Sequence, residues 1–431
     1  MRMSNIFRVP VRLAVLLFVF SAIACRQETD DGGTQSEPET AVDQRVDVVS
    51  NDALKNCLFI ILDTTHAKHM SAYGYGRETT PFMDSLARDG VLFERAYSQA
   101  PSTLPSTWSF LSGKRPIPKP SFAGTSLRLT DDLLTLAEAF QQTGFRTHGF
   151  SENPFITEEM GFAQGFDRFE HFDVANVHNH MYRDHEASVR LFEGVVDAIQ
   201  KSVDEPWFTY IHLLRPHRPY LAPMPYGTTF MTPAQAEAAS DGYEHEMVDN
   251  DVDKLTTEMV DYLKASYDGN LLYADVLVSQ LVRYLERIGE LKDTMIIIAS
   301  DHGEAFMQHG RIGHSTDLFD ELLHVPLIFW APPSVPMNAG RVTEPVAMLD
   351  VYPTLADAFG LTPSVELDGQ SLYLTLFRDG TPAPMALYAK TLYSSLVSVQ
   401  LGDEKLIAYV EPLTRELTNF QVFNLAEDPR E

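Results

Sequence analysis

The stretch "NCLFIILDTT", residues 56–65, combines an uninterrupted apolar run with a carboxylate at its end. Strands that are buried on both faces of a parallel sheet have such continuous apolar runs, whereas half-exposed strands alternate apolar and polar residues. In a parallel sheet that is covered by helices, ligands gather beyond the carboxyl ends of the strands. We therefore predict a central strand here, with Asp63 at the edge of the sheet where a site would form.

Four further apolar runs predict strands of the same sheet, at residues 146–151, 207–214, 294–301 and 325–331. Helical patterns lie between them, among them "TTPFMDSLARDG", "TDDLLTLAEAFQQTG" and "YDGNLLYADVLVSQLVRYLERIGEL". Strands that alternate with helices indicate an α/β protein with a large, mostly parallel sheet between helices. After about residue 375 the pattern weakens, and we expect a small C-terminal α+β subdomain with two or three antiparallel strands.

The charge of the chain excludes one class of partner. The 431 residues include 33 Lys and Arg against 60 Asp and Glu, which gives a formal net charge of −27. A surface this acidic repels phosphate backbones, so we expect no nucleic-acid partner. Carboxylates are also the usual ligands of hard divalent cations, so the composition is compatible with a metal site.

The N-terminal segment predicts export. The sequence "MRMSNIFRVPVRLAVLLFVFSAIAC", residues 1–25, has arginines, then an apolar run, then small residues before a cysteine. The apolar run is shorter than the roughly 20 residues that span a bilayer, and the layout is that of a secretory signal. We expect residues 1–24 to be the signal, Cys25 to carry a lipid as in bacterial lipoproteins, and residues 25–54 to be a disordered tether. An ordinary cleaved signal or a short anchor is the alternative.

This expectation localises the folded part of the chain to the periplasmic or extracellular face of a membrane, where the N-terminal lipid anchors it. The chain has two cysteines. If Cys25 is lipidated, Cys57 has no partner for a disulfide, and its apolar neighbours predict a buried small side chain.

Four polar residues are candidates for one site at the carboxyl edge of the sheet. Asp63 ends the first strand, Asp301 and His302 end a later apolar run, and Thr103 begins a helix in "APSTLPSTWSFLSG". Two carboxylates, an imidazole and a hydroxyl form a mixed oxygen and nitrogen set that suits a divalent metal. Taken singly, each residue has an ordinary explanation, since an Asp after a strand often caps the next helix and a Thr ahead of a Pro fits a helix cap.

Taken together, these residues resemble the sulfatase family of the alkaline phosphatase superfamily. The resemblance runs from about Asn56 to the C-terminus and rests on ordered motifs, among them "NCLFIILDTTHAKHMSAYGYGRETTPFMDSLARDG", "IHLLRPHRPY", "SDHGEAFMQHGRIGHS", "HVPLIFWAP" and "FQVFNLAEDPRE". It implies the alkaline-phosphatase-like fold, with a catalytic domain at residues 55–375 and a C-terminal subdomain at 376–431. The sequence stops at "EDPRE", where relatives usually continue into another helix, so we expect this subdomain to be truncated.

The resemblance implies a metal site and a nucleophile. Asp63, Asp301 and His302 match metal ligands of the family, and Thr103 matches the nucleophile, whose hydroxyl would also contact the metal. The ion would be Ca, Mg, Mn or Zn. The carboxylates suit a hard ion and the histidines suit Zn, so the choice among the four stays open.

The resemblance also implies residues that face the substrate. His217 in "RPHRPY" matches a histidine of this kind and is a second catalytic candidate. His309 and His314 are candidates for binding the substrate, because they follow the Asp-His pair where relatives place further His or Lys residues. Arg215 stands where the family usually has an Asp, and its guanidinium could pair with phosphate or sulfate if it faces the site. A surface position is the alternative for Arg215, and a surface or cap role is the alternative for the three histidines.

The match to the family fails at the nucleophile loop. The sulfatase signature is Cys or Ser, any residue, Pro, any residue, Arg, and its Cys or Ser is oxidised to formylglycine. Here residues 103–107 are Thr-Leu-Pro-Ser-Thr, so oxidation would give a ketone, and Thr107 replaces the arginine. Thr64 stands where many sulfatases have a second Asp ligand. Branches of the superfamily that transfer phosphoryl groups use a Thr nucleophile, so we expect chemistry of that kind rather than formylglycine-dependent sulfate hydrolysis.

Three functions follow from these observations. The first is an exported, metal-dependent, sulfatase-like hydrolase that acts on phosphate or sulfate esters through Thr103. The second is a phosphotransferase that passes the covalent group to a lipid headgroup or a glycan. The third is a catalytically inactive protein of the same fold that binds an anion or a glycan.

Overall fold

The structure is a computed structural model, and it describes residues 53–116, 128–172, 185–240, 252–392 and 394–431. The predicted signal at 1–24, the lipid site Cys25 and nearly all of the predicted tether lie outside the described residues. Within the described ranges, none of the helices has both the length and the apolar character that a membrane crossing requires.

The strands of the described residues are labelled in chain order. They are β1 (Asn56–Leu62), β2 (Val91–Phe93), β3 (Ala96–Tyr97), β4 (Arg146–Ser151), β5 (Arg168–His171), β6 (Trp207–Leu213), β7 (Thr294–Ala299), β8 (Ala305–Phe306), β9 (Ile312–Gly313), β10 (His324–Val325), β11 (Leu327–Trp330), β12 (Gly340–Val342), β13 (Val346–Ala347), β14 (Leu387–Lys390), β15 (Leu396–Leu401), β16 (Glu404–Val410) and β17 (Leu417–Asn424).

The helices are labelled in the same way. They are α1 (Pro81–Asp89), α2 (Thr103–Ser112), α3 (Leu136–Gln142), α4 (His185–Lys201), α5 (Pro233–Ser240), α6 (Thr257–Ile288), α7 (Asp320–Leu323), α8 (Val351–Phe359) and α9 (Tyr373–Phe377).

The main sheet has the strand order β12–β2–β11–β7–β1–β6–β4–β5. Its centre is parallel, because β1 pairs in parallel with β6 and β7, and β4 pairs in parallel with β5 and β6. The exception is β11, which runs antiparallel to β7 and β2. The five apolar runs all form strands of this sheet, and the predicted α/β class with a large, mostly parallel sheet is confirmed.

Both faces of the sheet are buried, which explains the continuous apolar run of β1. Alternate residues of a strand point to opposite faces. Cys57, Phe59 and Ile61 therefore pack with helices α2, α3, α8 and α9 on one side. Leu58 and Ile60 pack with α1, α4 and α6 on the other side.

The C-terminal segment forms a second sheet of four antiparallel strands, in the order β14–β15–β16–β17. The two or three strands expected were those of the stretch 386–410, which forms three, and residues 417–424 add the last strand. One face of this sheet packs on the larger part through Leu387, Ala389 and Ile407, which contact a cluster that includes Tyr97 and Phe319. The strands at the C-terminus are therefore packed against the rest of the protein by an apolar contact.

Candidate active site

Four neighbouring parallel strands, β7, β1, β6 and β4, bring polar side chains to one point at their carboxyl ends. Asp301 follows β7, Asp63 follows β1, His212 is near the end of β6, and Asn153 follows β4. All four side chains are buried. The arrangement follows from the sheet, because parallel strands that lie side by side end at the same edge.

Asp63 is held by two side chains and has one oxygen left over. Its Oδ2 accepts hydrogen bonds from Asn153 Nδ2 at 2.5 Å and from His212 Nε2 at 3.3 Å. Its backbone N–H donates to the carbonyl of Leu213. Its Oδ1 is buried and has no hydrogen-bond partner within the described part of the chain. A buried carboxylate oxygen without a partner is costly unless something else binds it.

Asp301 and His302 present two further unused ligand atoms. Asp301 Oδ1 accepts hydrogen bonds from the backbone N–H groups of Thr64 and His302, whereas its Oδ2 has no partner. His302 Nδ1 lies 3.0 Å from the carbonyl oxygen of Gly303. A carbonyl accepts only, so Nδ1 carries the hydrogen and the neutral ring has its lone pair on Nε2. That Nε2 lies 3.4 Å from Asp301 Oδ2 and 3.8 Å from Asp63 Oδ1.

The backbone between the first strand and this cluster is strained at Thr64. Its φ of 56° lies in the left-handed region, which a β-branched residue rarely adopts. The peptide groups on either side hold the conformation, because the Thr64 N–H donates to Asp301 and the Thr64 carbonyl accepts from Tyr267 Oη at 2.7 Å. Strain of this kind concentrates at functional sites.

Thr103 is the first residue of α2 and its hydroxyl lies in the same cluster. Thr103 Oγ1 is 3.2 Å from His302 Nε2 and 3.5 Å from Asn153 Nδ2. One turn into α2, Ser106 Oγ donates to the carbonyl of Asp301 at 2.5 Å, which fixes the helix to the end of β7. The first N–H groups of a helix carry partial positive charge, so the site attracts anions beside Thr103.

Three of these residues could hold a metal ion together. Asp63, Asp301 and His302 each offer one ligand atom, and the three atoms lie within 4.8 Å of one another. Burial by itself raises the pKa of Asp63, but the hydrogen bond from His212 and the nearby imidazoles hold that pKa well below its usual range. Burial lowers the pKa of His302 despite the charge of Asp301. Ionised carboxylates and a neutral imidazole are the states that ligate a metal.

The opposite side of the cluster consists of imidazoles. The ring of His314 lies 4.5 Å from that of His302, and the ring of His217 lies 5.1 Å from that of His314. His314 Nδ1 contacts Glu304 Oε1 at 3.0 Å, and Glu304 is fully buried. Burial alone lowers the pKa of His314, but the charge of Glu304 outweighs it, so the pKa of His314 is raised. A positive imidazole here would attract an anionic substrate.

Two residues that the sequence assigned to substrate binding make their contacts elsewhere. The guanidinium of Arg215 is buried and donates to Ser188 Oγ, the carbonyl of Leu221 and Asn270 Oδ1. It also lies 4.9 Å from the ring centre of Tyr273. Arg215 is therefore buried, and these contacts do not include the acidic cluster. They connect the segment after β6 to α6.

His309 also turns away from the cluster. Its Nδ1 lies 2.8 Å from Glu321 Oε1, and its ring stacks on Phe319 at 3.7 Å. The reason is local: Met307, His309 and Gly310 all have positive φ values, so the chain reverses direction tightly there. The structure thus brings together Asp63, Thr103, Asp301, His302, His217 and His314, and it does not bring Arg215 or His309 to them.

Three residues of the cluster were not identified from the sequence: Asn153, His212 and Glu304. Asn153 lies two residues after the end of β4, and the carboxylate that follows this strand in the sequence is Glu152. His212 lies inside an apolar run, where the sequence gives no sign of a polar environment. Glu304 is two residues beyond the Asp-His pair and looks like an ordinary surface acid.

Comparisons with known proteins agree with this fold. A family model described as sulfatase matches residues 55–361. The chain is 25% identical to the choline-sulfatase of Rhizobium meliloti (strain 1021), over 87% of this chain and 83% of that protein. It is 23% identical to the N-acetylglucosamine-6-O-sulfatase of Bacteroides thetaiotaomicron, over 87% and 81%. The solved structure of the phosphonate monoester hydrolase of Agrobacterium radiobacter superimposes with a TM-score of 0.71 at 22% identity and covers 88% of this chain and 90% of that one.

Proposed function

The chain belongs to the sulfatase family, and from that premise we propose that it hydrolyses phosphate or sulfate esters at a divalent metal ion, with Thr103 as the nucleophile. One observation carries the proposal: Thr103 Oγ1 lies 3.2 Å from His302 Nε2, beside two carboxylate oxygens that are buried without partners. That same Nε2 lies 3.4 Å from Asp301 Oδ2 and 3.8 Å from Asp63 Oδ1, so the hydroxyl shares a neighbour with both carboxylate oxygens.

The residues present fit a metal ion. Asp63 Oδ1, Asp301 Oδ2 and His302 Nε2 would hold it, with Thr103 Oγ1 as a further ligand, and the other three atoms lie 3.2 to 3.8 Å from His302 Nε2, which suits atoms that share one ion. A divalent ion there supplies charge that neutralises the substrate anion and lowers the pKa of the Thr103 hydroxyl. The proposed ligands are two carboxylates, an imidazole and a hydroxyl, and this set does not select one divalent metal over another.

The reaction would take place in two steps. Thr103 Oγ1 forms a bond to phosphorus while the bond from phosphorus to the leaving oxygen breaks; the hydroxyl proton passes to solvent, and the leaving oxygen takes a proton from His217 or His314. Water then attacks phosphorus, gives a proton back to that imidazole, and displaces Thr103 Oγ1, which regains a proton. The products are an alcohol and a phosphate, and a sulfate ester would follow the same steps at sulfur.

Other residues of the chain would orient the reactants. Asn153 Nδ2 lies 3.5 Å from Thr103 Oγ1, where it can donate to an oxygen of the anion as the new bond forms. The N-terminus of α2 adds positive potential at the same place. Glu304 holds His314 beside the reaction centre through the 3.0 Å contact to Nδ1.

We favour phosphate over sulfate esters as substrates because Thr103 cannot become formylglycine. The relatives named above act on sulfate esters of choline and N-acetylglucosamine according to their names, and the fold neighbour acts on phosphonate monoesters. The proposal therefore covers small anionic esters, including those of glycans and lipid headgroups.

The Thr103→Ala variant tests the nucleophile. We expect it to lose turnover of an aryl phosphate diester while it still binds Mn²⁺, and we expect Thr103→Ser to keep part of the turnover because it keeps the hydroxyl. After an acid quench, mass spectrometry of the active protein should find the transferred group on Thr103. Undiminished turnover by Thr103→Ala would refute the assignment, whereas transfer of the group to an added lipid or glycan would identify the protein as a transferase.

We also propose that the chain is exported and anchored to a membrane by a lipid on Cys25. The support is the layout of residues 1–25, which ends in small residues before the cysteine. In cells that produce the full chain, Cys25→Ser should move the protein from the membrane fraction to the soluble fraction. Retention of the variant in the membrane fraction would contradict the lipid anchor.

A further inference from the structure

Tyr210 and His212 form a pair of buried polar side chains next to the candidate metal site. They lie on β6 two residues apart, so both point to the same face of the sheet, and neither is exposed to solvent. Tyr210 Oη lies 2.8 Å from His212 Nδ1, and His212 Nε2 lies 3.3 Å from Asp63 Oδ2. The three residues thus form a continuous chain of contacts from the sheet interior to the carboxylate.

The direction of these hydrogen bonds follows from the acceptors. His212 Nε2 faces Asp63 Oδ2 and, at 3.8 Å, Asp301 Oδ2. Ionised carboxylates only accept, so Nε2 carries the hydrogen. In the neutral ring Nδ1 is then the acceptor, and the hydroxyl of Tyr210 donates to it.

The chain of hydrogen bonds ends on one of the two oxygens of Asp63. Oδ2 accepts from both His212 and Asn153, whereas Oδ1 has no partner and faces His302 Nε2 at 3.8 Å. The two bonds to Oδ2 therefore fix the rotation of the carboxylate and direct Oδ1 to the position of the ion. Groups that orient a metal ligand in this way typically change the metal affinity 10- to 100-fold when they are removed.

We propose that Tyr210 and His212 are positioning residues that hold Asp63 in the orientation needed to bind the divalent ion. This inference rests on the proposed function, because it presumes that Asp63 is a metal ligand. It assigns a task to a Tyr and a His that touch neither the substrate nor the reacting oxygen of Thr103. It also explains why a histidine stands in a strand that otherwise needs apolar side chains.

The variants separate positioning from packing. Tyr210→Phe removes only the hydroxyl and keeps the ring, which packs 5.7 Å from the ring of Phe59. His212→Leu removes both ring nitrogens, whereas His212→Gln keeps an N–H group near the place of Nε2. Tyr352→Phe is the matched control, because it removes a buried hydroxyl that donates to the carbonyl of Thr135, away from the acidic cluster.

The measurement is the affinity of the purified full chain for Mn²⁺, by titration calorimetry and by the electron paramagnetic resonance signal of the ion. We expect His212→Leu to bind Mn²⁺ about 10- to 100-fold more weakly, and Tyr210→Phe and His212→Gln to show smaller losses of the same sign. Tyr352→Phe should bind as the unmodified chain does. Melting temperatures in EDTA should fall by similar amounts in Tyr210→Phe and Tyr352→Phe.

Equal Mn²⁺ affinities in Tyr210→Phe, His212→Gln and the control would overturn the inference and leave the proposed function in place. If the unmodified chain binds no divalent ion, the proposed function and the inference fail together. If His212→Leu does not fold, the two milder variants still decide the question, because Tyr210→Phe keeps the ring and His212→Gln keeps a polar N–H group near the place of Nε2.

Discussion

The two sides of the candidate site are built differently. On the acidic side, Asp63, Asp301 and His212 come from the ends of neighbouring strands and are fully buried. On the imidazole side, His217 and His314 come from connecting segments and are partly exposed; the side chain of His314 is 21% accessible. The backbone hydrogen bonds of the sheet fix the first set, whereas the second set depends on local contacts such as the one between His314 and Glu304.

This difference indicates that the acidic side binds the metal ion and that the imidazole side contacts the substrate. A metal ion needs several ligand atoms held at fixed positions, and strand ends in a sheet with two covered faces provide that. A substrate has to enter and its product has to leave, which requires side chains that solvent can reach. Removal of a carboxylate ligand on the acidic side, Asp63 or Asp301, should therefore abolish metal binding, and removal of a histidine on the imidazole side should spare it.

The largest effect is expected for Asp301→Asn, which breaks the acidic side. The variant keeps the shape of the side chain but removes the charge from Oδ2, an oxygen that has no hydrogen-bond partner among the residues that the structure describes. We expect Mn²⁺ binding to be lost and ester hydrolysis to fall to the background rate. Calorimetric titration with Mn²⁺ and an assay with an aryl phosphate diester measure the two effects.

Asp275→Asn is the matched control, because Asp275 is a buried aspartate whose two oxygens accept from the backbone N–H groups of Phe82 and Met83. It should keep the metal and the activity. Full activity of Asp301→Asn would show that the acidic side is only structural, and the division of tasks would then be wrong.

An intermediate effect is expected on the imidazole side. His314→Asn should lower kcat/KM by about 10²-fold or more, the usual contribution of an acid or base in catalysis, while the Mn²⁺ affinity changes little. His217→Asn should behave alike, since the rings of the two histidines are 5.1 Å apart. Measurement of kcat/KM and of the Mn²⁺ affinity on the same preparations tests the contrast with Asp301→Asn. A loss of metal binding as severe as that of Asp301→Asn would place His314 on the acidic side.

The fold and the acidic side were largely predictable from the sequence, for one physical reason. A strand that is covered on both faces is largely apolar, so a carboxylate at its end marks the sheet edge, as Asp63 and Asp301 do. Asn153 follows Glu152 at the end of β4 and is uncharged, so the same signal does not single it out. His212 could not be predicted as a site residue. The sequence shows that it lies within a buried apolar run, but it does not show which side chain the imidazole contacts.

The imidazole side was less predictable, because spacing along the chain does not fix the direction of a connecting segment. His309 and His314 are five residues apart and follow the same Asp-His pair. His314 reaches Glu304 and His302, whereas the positive φ values around His309 turn that side chain toward Glu321 and Phe319. The composition of the loop gives no sign of this reversal beyond the glycine at 310.

The smallest effect is expected for His309→Gln. His309 lies in the same loop as His314 but belongs to neither side of the site, so the variant sharpens the comparison. We expect unchanged hydrolysis and unchanged Mn²⁺ affinity. The stability effect should depend on pH. Burial by itself lowers the pKa of His309, but the hydrogen bond to Glu321 outweighs it, and the pKa is raised.

A histidine whose pKa is higher in the folded protein than in the unfolded chain stabilises the fold fully below the unfolded pKa of about 6.5, and this stabilisation is lost as the pH rises through the folded pKa. His309→Gln should therefore cost about 1 kcal/mol or less near pH 5.5 and less than that near pH 8.5, as an ion pair close to the surface would. Urea unfolding at the two pH values measures the difference. A cost that grows with pH would contradict the pairing with Glu321, and a tenfold loss of hydrolysis would return His309 to the substrate side of the site.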